Sequence, residues 1–342
     1  MKILVTGGAG YIGSITASRL LERGDDLIII DNLSNSSLRN IDSLRKQNPS
    51  KVKFIRGEIG DKYLLNDVFL NNKIDVVFHF AALKSKPDSI KNKQKYFQNN
   101  VIQSETLFEC MKNFDVNRLI FSSSAAIYGN PNYLPIDEEH PINPNCPYSE
   151  TKSIVEKKIR ELAAQEPSFY AVSLRYFNPV GANSSLTMGE NPKEVNMTSL
   201  NLMNALLNVI FFDQSFLEVY GSDYETPDGT PIRDYIHIED LANAHILASD
   251  YLMSIEKKSS NQVEEINIGT GSGVSVDELV STFELVNGIN IPKAYSERRE
   301  GDVCSSYASN DKAKNLLGWA PMHDLEGMCA SAYKFIKNEI KT

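Results

Sequence analysis

Cysteine is scarce in this chain. Cys110, Cys146, Cys304 and Cys329 are scattered through 342 residues without CxxC spacing, so the sequence encodes neither a zinc site nor a disulfide framework. No apolar run approaches the length of a membrane span, and Met1-Lys2 leads straight into a core-type strand with no cleavable leader. The expectation is a cytoplasmic protein whose thiols are buried or incidental. Positive charge is also in deficit. A formal charge of −9 argues against general nucleic-acid binding, because a phosphate backbone is captured by clustered Lys and Arg. A small anionic ligand needs only one or two well placed arginines and is not excluded. Internal repeats and low-complexity linkers are missing too.

What remains has a globular composition, 42% hydrophobic and 23% charged, with length for one large or two ordinary domains. The opening stretch carries the strongest local signal. Ile3-Leu4-Val5 reads as a fully buried strand, and Tyr11 to Glu22, with Ile12, Ile15, Ala17, Leu20 and Leu21, as the helix after it. Gly7, Gly10 and Gly13 lie between and just inside them. That spacing suits a pyrophosphate resting on a helix N-terminus: Gly7 for the tight turn, Gly10 for close approach, Gly13 for helix–strand packing. Glycines in such a pattern also occur in loops that merely need φ > 0. Here the flanking strand and helix, and a second strand Leu27 to Ile30 ending in Asp31, favour the dinucleotide reading. An acid at Asp31 accepts from ribose hydroxyls and repels a 2′-phosphate, which selects NAD over NADP.

Asn32, Asn35 and Ser36 follow in a polar loop that lines an adenosine pocket or is only a turn. Glu58 and Ile59 follow a third strand, Val52 to Ile55, where Glu58 either meets an adenine or caps the next helix. A fourth strand, Asp75 to Ala82, ends in small residues that leave room for a ligand, and His79 within it reads as a packed core histidine. Asn99 lies in a predicted helix where asparagine is a poor helix former; cofactor contact or surface exposure both account for it.

A fifth strand, Leu119 to Phe121, delivers Ser122-Ser123-Ser124 at its carboxyl end. Tyr148 and Lys152, four apart, share one face of a predicted helix running through Val155, Ile159 and Leu162. An ammonium beside a phenol favours the phenolate, so Tyr148 is expected to have a lowered pKa and to act as a base near neutrality.

These residues resemble the extended short-chain dehydrogenase/reductase family, and within it the UDP-galactose 4-epimerases very closely. The resemblance is carried by GGAGYIGS at Gly7 to Ser14, DNLSNSS at Asp31 to Ser37, HFAALK at His79 to Lys84 and FSSSA at Phe121 to Ala125. It continues with PYSETK at Pro147 to Lys152, LRYFNPVGA at Leu174 to Ala182 and TPDGTPIRDYIH at Thr226 to His237. NIGTGSGVSV at Asn267 to Val276, RREGD at Arg298 to Asp302 and LGW at Leu317 to Trp319 complete it.

The resemblance implies a doubly wound parallel Rossmann sheet with a smaller α/β lobe, resident NAD, a UDP-hexose substrate and a homodimer. It makes Ser124, Tyr148 and Lys152 catalytic, and adds Phe80, Ala81, Ala82, Lys84, Ser122 and Tyr176 to the cofactor contacts, with Tyr11 and Ile12. Lys84, Asn178, Tyr220, Arg233, Arg299, Asp302 and Ser306 join Ser124 and Tyr148 around the substrate. A small residue at Ser306, where the family has a bulky tyrosine, implies room for an N-acetyl group. The nucleotide domain is expected at about residues 1–178 plus 227–262, and the sugar lobe at about 179–226 plus 263–342, with Ile255 to Glu265 as an exposed loop.

Four places depart from the family pattern: Ile15, Ala126, the segment Ser85 to Asp88, and Met197 to Ser199. They bear on affinity and sugar preference. Two rivals stand beside the epimerase. A 4,6-dehydratase or UDP-glucuronate decarboxylase needs an acidic residue just after the catalytic hydroxyl, where this chain has Ala125 and Ala126. A non-catalytic NAD-binding sensor has no use for Ser124, Tyr148 and Lys152 together.

Overall fold

A computed structural model describes residues 1–194, 201–212, 214–255, 262–299 and 301–341. Met197 to Ser199 lie outside the described residues. Six strands of the central sheet come in chain order: β1 (Lys2–Thr6), β2 (Asp26–Asp31), β3 (Val52–Arg56), β4 (Val76–His79), β5 (Arg118–Ser124) and β6 (Tyr170–Tyr176). Short strands β7 (Asn178–Val180), β8 (Leu217–Tyr220), β9 (Ile232–Arg233) and β10 (Tyr235–His237) follow, then β11 (Val263–Ile268), β12 (Val274–Ser275), β13 (Lys293–Ser296) and β14 (Ser305–Ser306).

The seven-stranded parallel sheet has the order β11-β6-β5-β4-β1-β2-β3. Runs such as Ile3-Leu4-Val5 are wholly buried because helices cover both faces. On one face lie α1 (Tyr11–Arg23), α2 (Leu38–Gln47), α9 (Ile238–Ser254) and α11 (Asp311–Leu317); on the other lie α3 (Lys62–Asn71), α6 (Gln103–Asn113) and α7 (Pro147–Gln165). The short helices α4 (Lys86–Lys91) and α5 (Lys93–Phe97) lead through a π-helical turn, Gln98–Ile102, into α6. A second apolar core is built from α8 (Leu202–Phe211), α10 (Val276–Asn287) and α12 (Leu325–Lys341) around β8 and β13. No helix among the described residues is long and apolar enough to cross a membrane.

The chain order reverses at β1, which pairs with β2 on one side and β4 on the other, so their carboxyl ends open a crevice at the switch point. One boundary differs from the sequence expectation. Val263 to Glu265, read there as loop, begin β11, which pairs with β6 and completes the nucleotide sheet instead of joining the lobe. Ala313, Leu317 and Trp319 likewise pack in the layer formed by α1 and α9. The polar residues of β11 masked a strand whose Ile266 and Ile268 are fully buried.

Candidate active site

The crevice starts where β1 ends. Gly7 has φ +70°, and a Cβ there would lie 2.6 Å from the Ala81 amide nitrogen, so no side chain fits between β1 and the segment after β4. A Cβ on Gly13 would meet the Gly7 carbonyl oxygen at 2.4 Å. Helix α1 starts after Gly10 with no side chain capping it, which leaves its first N–H groups for a ligand. At the end of β2, Asp31 accepts from the Ala9 amide (3.0 Å), the Leu33 amide (2.8 Å) and the Ser36 hydroxyl (2.8 Å). It thus ties the glycine turn to the polar loop. Glu58 accepts from Asn32 at 3.0 Å, and the cap of α3 is Asp61, which accepts from the Tyr63 and Leu64 amides. Glu58 thus lines the crevice and leaves the capping of α3 to Asp61.

Every residue expected around the cofactor, apart from Tyr148 and Lys152, lines this one crevice: Gly7, Gly10, Tyr11, Ile12, Gly13, Asp31, Asn32, Asn35, Ser36, Glu58, Ile59, Phe80, Ala81, Ala82, Lys84, Asn99, Ser122 and Tyr176. Asn99 sits in the π-helical turn, and its neighbour Asn100, buried, donates to the Leu83 carbonyl and to Thr151, both at 3.0 Å. Sequence reasoning missed Asn40, Gln103 and the loop Gly189 to Asn191, which also line it. Asn40 carried a usable signal, since an asparagine inside a helix needs a partner; it donates to the Ala9 carbonyl at 2.8 Å. Glu190 had none, because only the tertiary fold brings it to Lys84, at 2.5 Å. His79 is the buried core residue expected, bonded to Thr6 (2.7 Å) and Ser104 (2.8 Å), and burial pushes its pKa down to about 3.

At the end of the crevice β5 meets α7. Tyr148, Lys152 and Glu156 stand one turn apart on the buried face of α7. The Ser124 hydroxyl faces the Tyr148 phenol and accepts from the Ala126 amide at 3.2 Å, and Lys152 donates to the Ser122 carbonyl at 2.6 Å. The Ser122 hydroxyl bonds the Tyr176 hydroxyl. One expectation fails here. Burial pushes the Tyr148 phenol up to about 12 and the Lys152 ammonium down to about 7, so the phenol is not acidified in the ligand-free protein. A lysine that loses its proton well before the phenol titrates has no charge to lend it. The i, i+4 spacing does put both on the buried face of α7, but desolvation dominates each of them, and the charge that acts on Lys152 is that of Glu156.

The residues expected on the sugar side come from four chain segments. Arg233 on β9 pairs in register with Ser306 on β14, and its guanidinium is 3.6 Å from the Asp302 carboxylate. The Arg299 guanidinium stacks over the Tyr220 ring, 3.7 Å from its centroid. Asn178 lies on β7, opposite Tyr235 and so beside the same β9–β10 segment. The buried Asp234 carboxylate binds these pieces, accepting from Thr270 (amide 2.8 Å, hydroxyl 2.7 Å), the Gly271 amide (3.0 Å) and the Ala308 amide (3.1 Å). Lys84, expected against both ligands, lines the cofactor crevice and is engaged by Glu190.

A doubly wound sheet with an uncapped glycine turn at its switch point, and a Ser-Tyr-Lys group at the adjacent strand end, defines a dinucleotide-binding α/β enzyme. The family profile described as GDP-mannose 4,6 dehydratase matches residues 4–332. The UDP-glucose 4-epimerase of Bacillus subtilis (strain 168) is 38% identical over 340 residues, covering 99% of this chain and 98% of that protein. Among solved structures, the UDP-glucose-4-epimerase of Stenotrophomonas maltophila with bound NAD and formylated UDP-arabinopyranose superposes with a TM-score of 0.94 at 38% identity, over 100% of this chain and 99% of that one. The UDP-Glc/GlcNAc 4-epimerase of Campylobacter jejuni gives 0.84 at 34% identity, over 98% and 99%. The chain belongs to the UDP-glucose 4-epimerases of the extended short-chain dehydrogenase/reductase family.

Proposed function

We propose that this protein interconverts UDP-glucose and UDP-galactose at C4 through a 4-keto intermediate, using resident NAD. The observation that carries the reading is the Ser124–Tyr148–Lys152 group at the end of a crevice whose glycine turn admits no side chain and whose helix N-terminus lacks a cap. Those features fit a dinucleotide: a pyrophosphate takes the free N–H groups of α1, and the Asp31 loop meets the adenosine end. Bound NAD supplies the hydride acceptor at C4 and, once the sugar has turned, the donor. Tyr148 takes the proton of the 4-hydroxyl at its phenolate oxygen and later returns it. Ser124 holds the reacting oxygen, and Lys152 holds the nicotinamide ribose.

Arg233 and Arg299 grip the diphosphate through forked guanidinium contacts, Asn178 and Tyr220 flank it, and Asp302 takes the uridine ribose. The hexose is held loosely, since a sugar fixed by many contacts cannot present both faces. Ser306 leaves space beside it, so N-acetylated UDP-hexoses are substrates as well. Dehydration or decarboxylation is disfavoured despite the name of the matching profile, because Ala125 and Ala126 offer no acid next to Ser124. The active form is a homodimer working in the cytoplasm, a reading supported by the family resemblance and by four unbridged cysteines. The test is to supply UDP-glucose, UDP-galactose and their N-acetylated forms without added cofactor and identify the products. Epimers at C4 are expected; unchanged sugars, or a dehydrated product, overturn the reading.

A further inference from the structure

The last three residues of β5 each face a different point on α7, and two of them bond it. The Ser122 carbonyl accepts from Lys152 at 2.6 Å and the Ser123 hydroxyl donates to Glu156 Oε1 at 2.6 Å, while Ser124 faces Tyr148. Tyr148, Lys152 and Glu156 are spaced i, i+4, i+8, so they form one row that docks on one strand end. Glu156 is fully buried and plays no part in the chemistry assigned above. Its carboxylate is forked by Arg175 on β6, at 3.0 Å from Nε and 2.7 Å from Nη2, with Arg160 at 3.8 Å. Arg175 is itself buried and donates to the Tyr128 hydroxyl at 3.0 Å.

An ion pair in the core is costly to form compared with apolar residues of the same shape, so its retention behind a catalytic row asks for a use. We propose that Glu156, clamped by Arg175 and seated on Ser123, is a positioning residue that keeps the Lys152 ammonium charged and fixes the register of α7 on β5. The inference rests on the epimerase reading. Lys152 is surrounded by little else that favours its charge. From β5 it sees the Ser122 carbonyl and, 4.9 Å away, the Phe121 ring; from β4 it sees His79, which is neutral; from α7 it sees Tyr148 and Glu156; and Arg175 on β6 reaches it only across Glu156. Burial pulls its proton off near pH 7, and the Glu156 charge is what opposes that loss. A neutral Lys152 gives the phenolate no partner and the ribose a weaker grip.

The test compares the NAD-loaded protein with Glu156→Gln and Ser123→Ala. Glutamine keeps the shape and can accept from Ser123 and Arg175, but lacks the charge. In Glu156→Gln the high-pH limb of kcat, where Lys152 loses its proton, moves down by about one pH unit, the size of one lost neighbouring charge. The NMR titration of the Lys152 side-chain εCH₂, assigned by its loss in Lys152→Met, moves down by the same unit. This second readout does not depend on turnover. Ser123→Ala, with no charge altered, lowers kcat several-fold at unchanged KM and leaves the limb in place. A folded Glu156→Gln whose limb and Lys152 titration match the parent protein overturns the proposal. If that variant does not fold, Ser123→Ala decides: kcat equal to the parent's overturns it, and the several-fold loss at constant KM supports it. A parent protein that epimerises no UDP-hexose is instead a failure of the functional reading, and the Lys152 titration still reports on Glu156.

Discussion

The Lys84 ammonium and the Glu190 carboxylate meet at 2.5 Å across the mouth of the crevice, joining the segment after β4 to the loop after β7. The second Glu190 oxygen accepts from Asn201, at 2.6 Å, just ahead of α8. The pair therefore ties two walls of the crevice to each other. Glu190→Gln is expected to release bound NAD about two- to fivefold faster, the range for a partly exposed ion pair, with kcat unchanged. The decay of bound cofactor after dilution into NAD-free buffer measures it. An unaltered release rate removes the latch role.

Tyr148→Phe keeps the ring and deletes the proposed proton carrier. Folding and NAD content are expected to match the parent protein, while kcat drops by about 10²–10⁴, the loss typical of a positioned acid–base group. A residual rate within tenfold of the parent's shows that another group moves the proton.

Three buried histidines make the fold acid-sensitive. Burial lowers His79 to about 3, His237 to about 4, helped by the ring of His323 stacked 4.0 Å away, and His245 to about 4. The unfolded chain takes up these protons near pH 6.5 and the native protein does not, so their contribution to stability is complete above pH 6.5 and is lost as pH falls toward 4. Tm is expected to be flat from pH 8 to 6.5 and to fall below it. His245→Gln, which removes one such group, flattens the fall by up to about 1.4 kcal/mol per pH unit. A parallel decline in both proteins assigns the acid sensitivity to carboxylates.

Ser306 lies beside Arg233 in the β9–β14 pair, on the side of the site where the hexose is proposed to sit. Ser306→Tyr is expected to cut turnover of N-acetylated UDP-hexoses at least about tenfold while changing that of UDP-galactose less than about twofold, since the added ring takes up space that only the larger substrate needs. Product analysis on both substrates decides. Equal losses point to general damage.

The crevice was legible in the sequence because its features are local. Gly7, Gly10 and Gly13, the acid closing β2, and the small residues after β4 each follow a short apolar strand, and strand ends are where such a sheet binds ligands. Glu190, Gln103 and the Ser123–Glu156–Arg175 network were not legible, because each acquires its partner only by long-range packing. The acidity of Tyr148 was misjudged for a related reason. Spacing shows which groups face one another, and burial decides which of them stays charged. At β11 the polar residues Glu264 and Asn267 are buried in a strand that only its pairing with the neighbouring β6 reveals.

Asp234 gathers its donors from residues 270, 271 and 308, and Arg233 next to it finds Asp302 and Ser306 late in the chain. The cofactor crevice, in contrast, draws every lining residue from positions up to 191 among those described. During synthesis the walls of the nucleotide cradle therefore leave the ribosome first, while the sheet behind them still waits for β11 and for the α11 segment that packs beside α1.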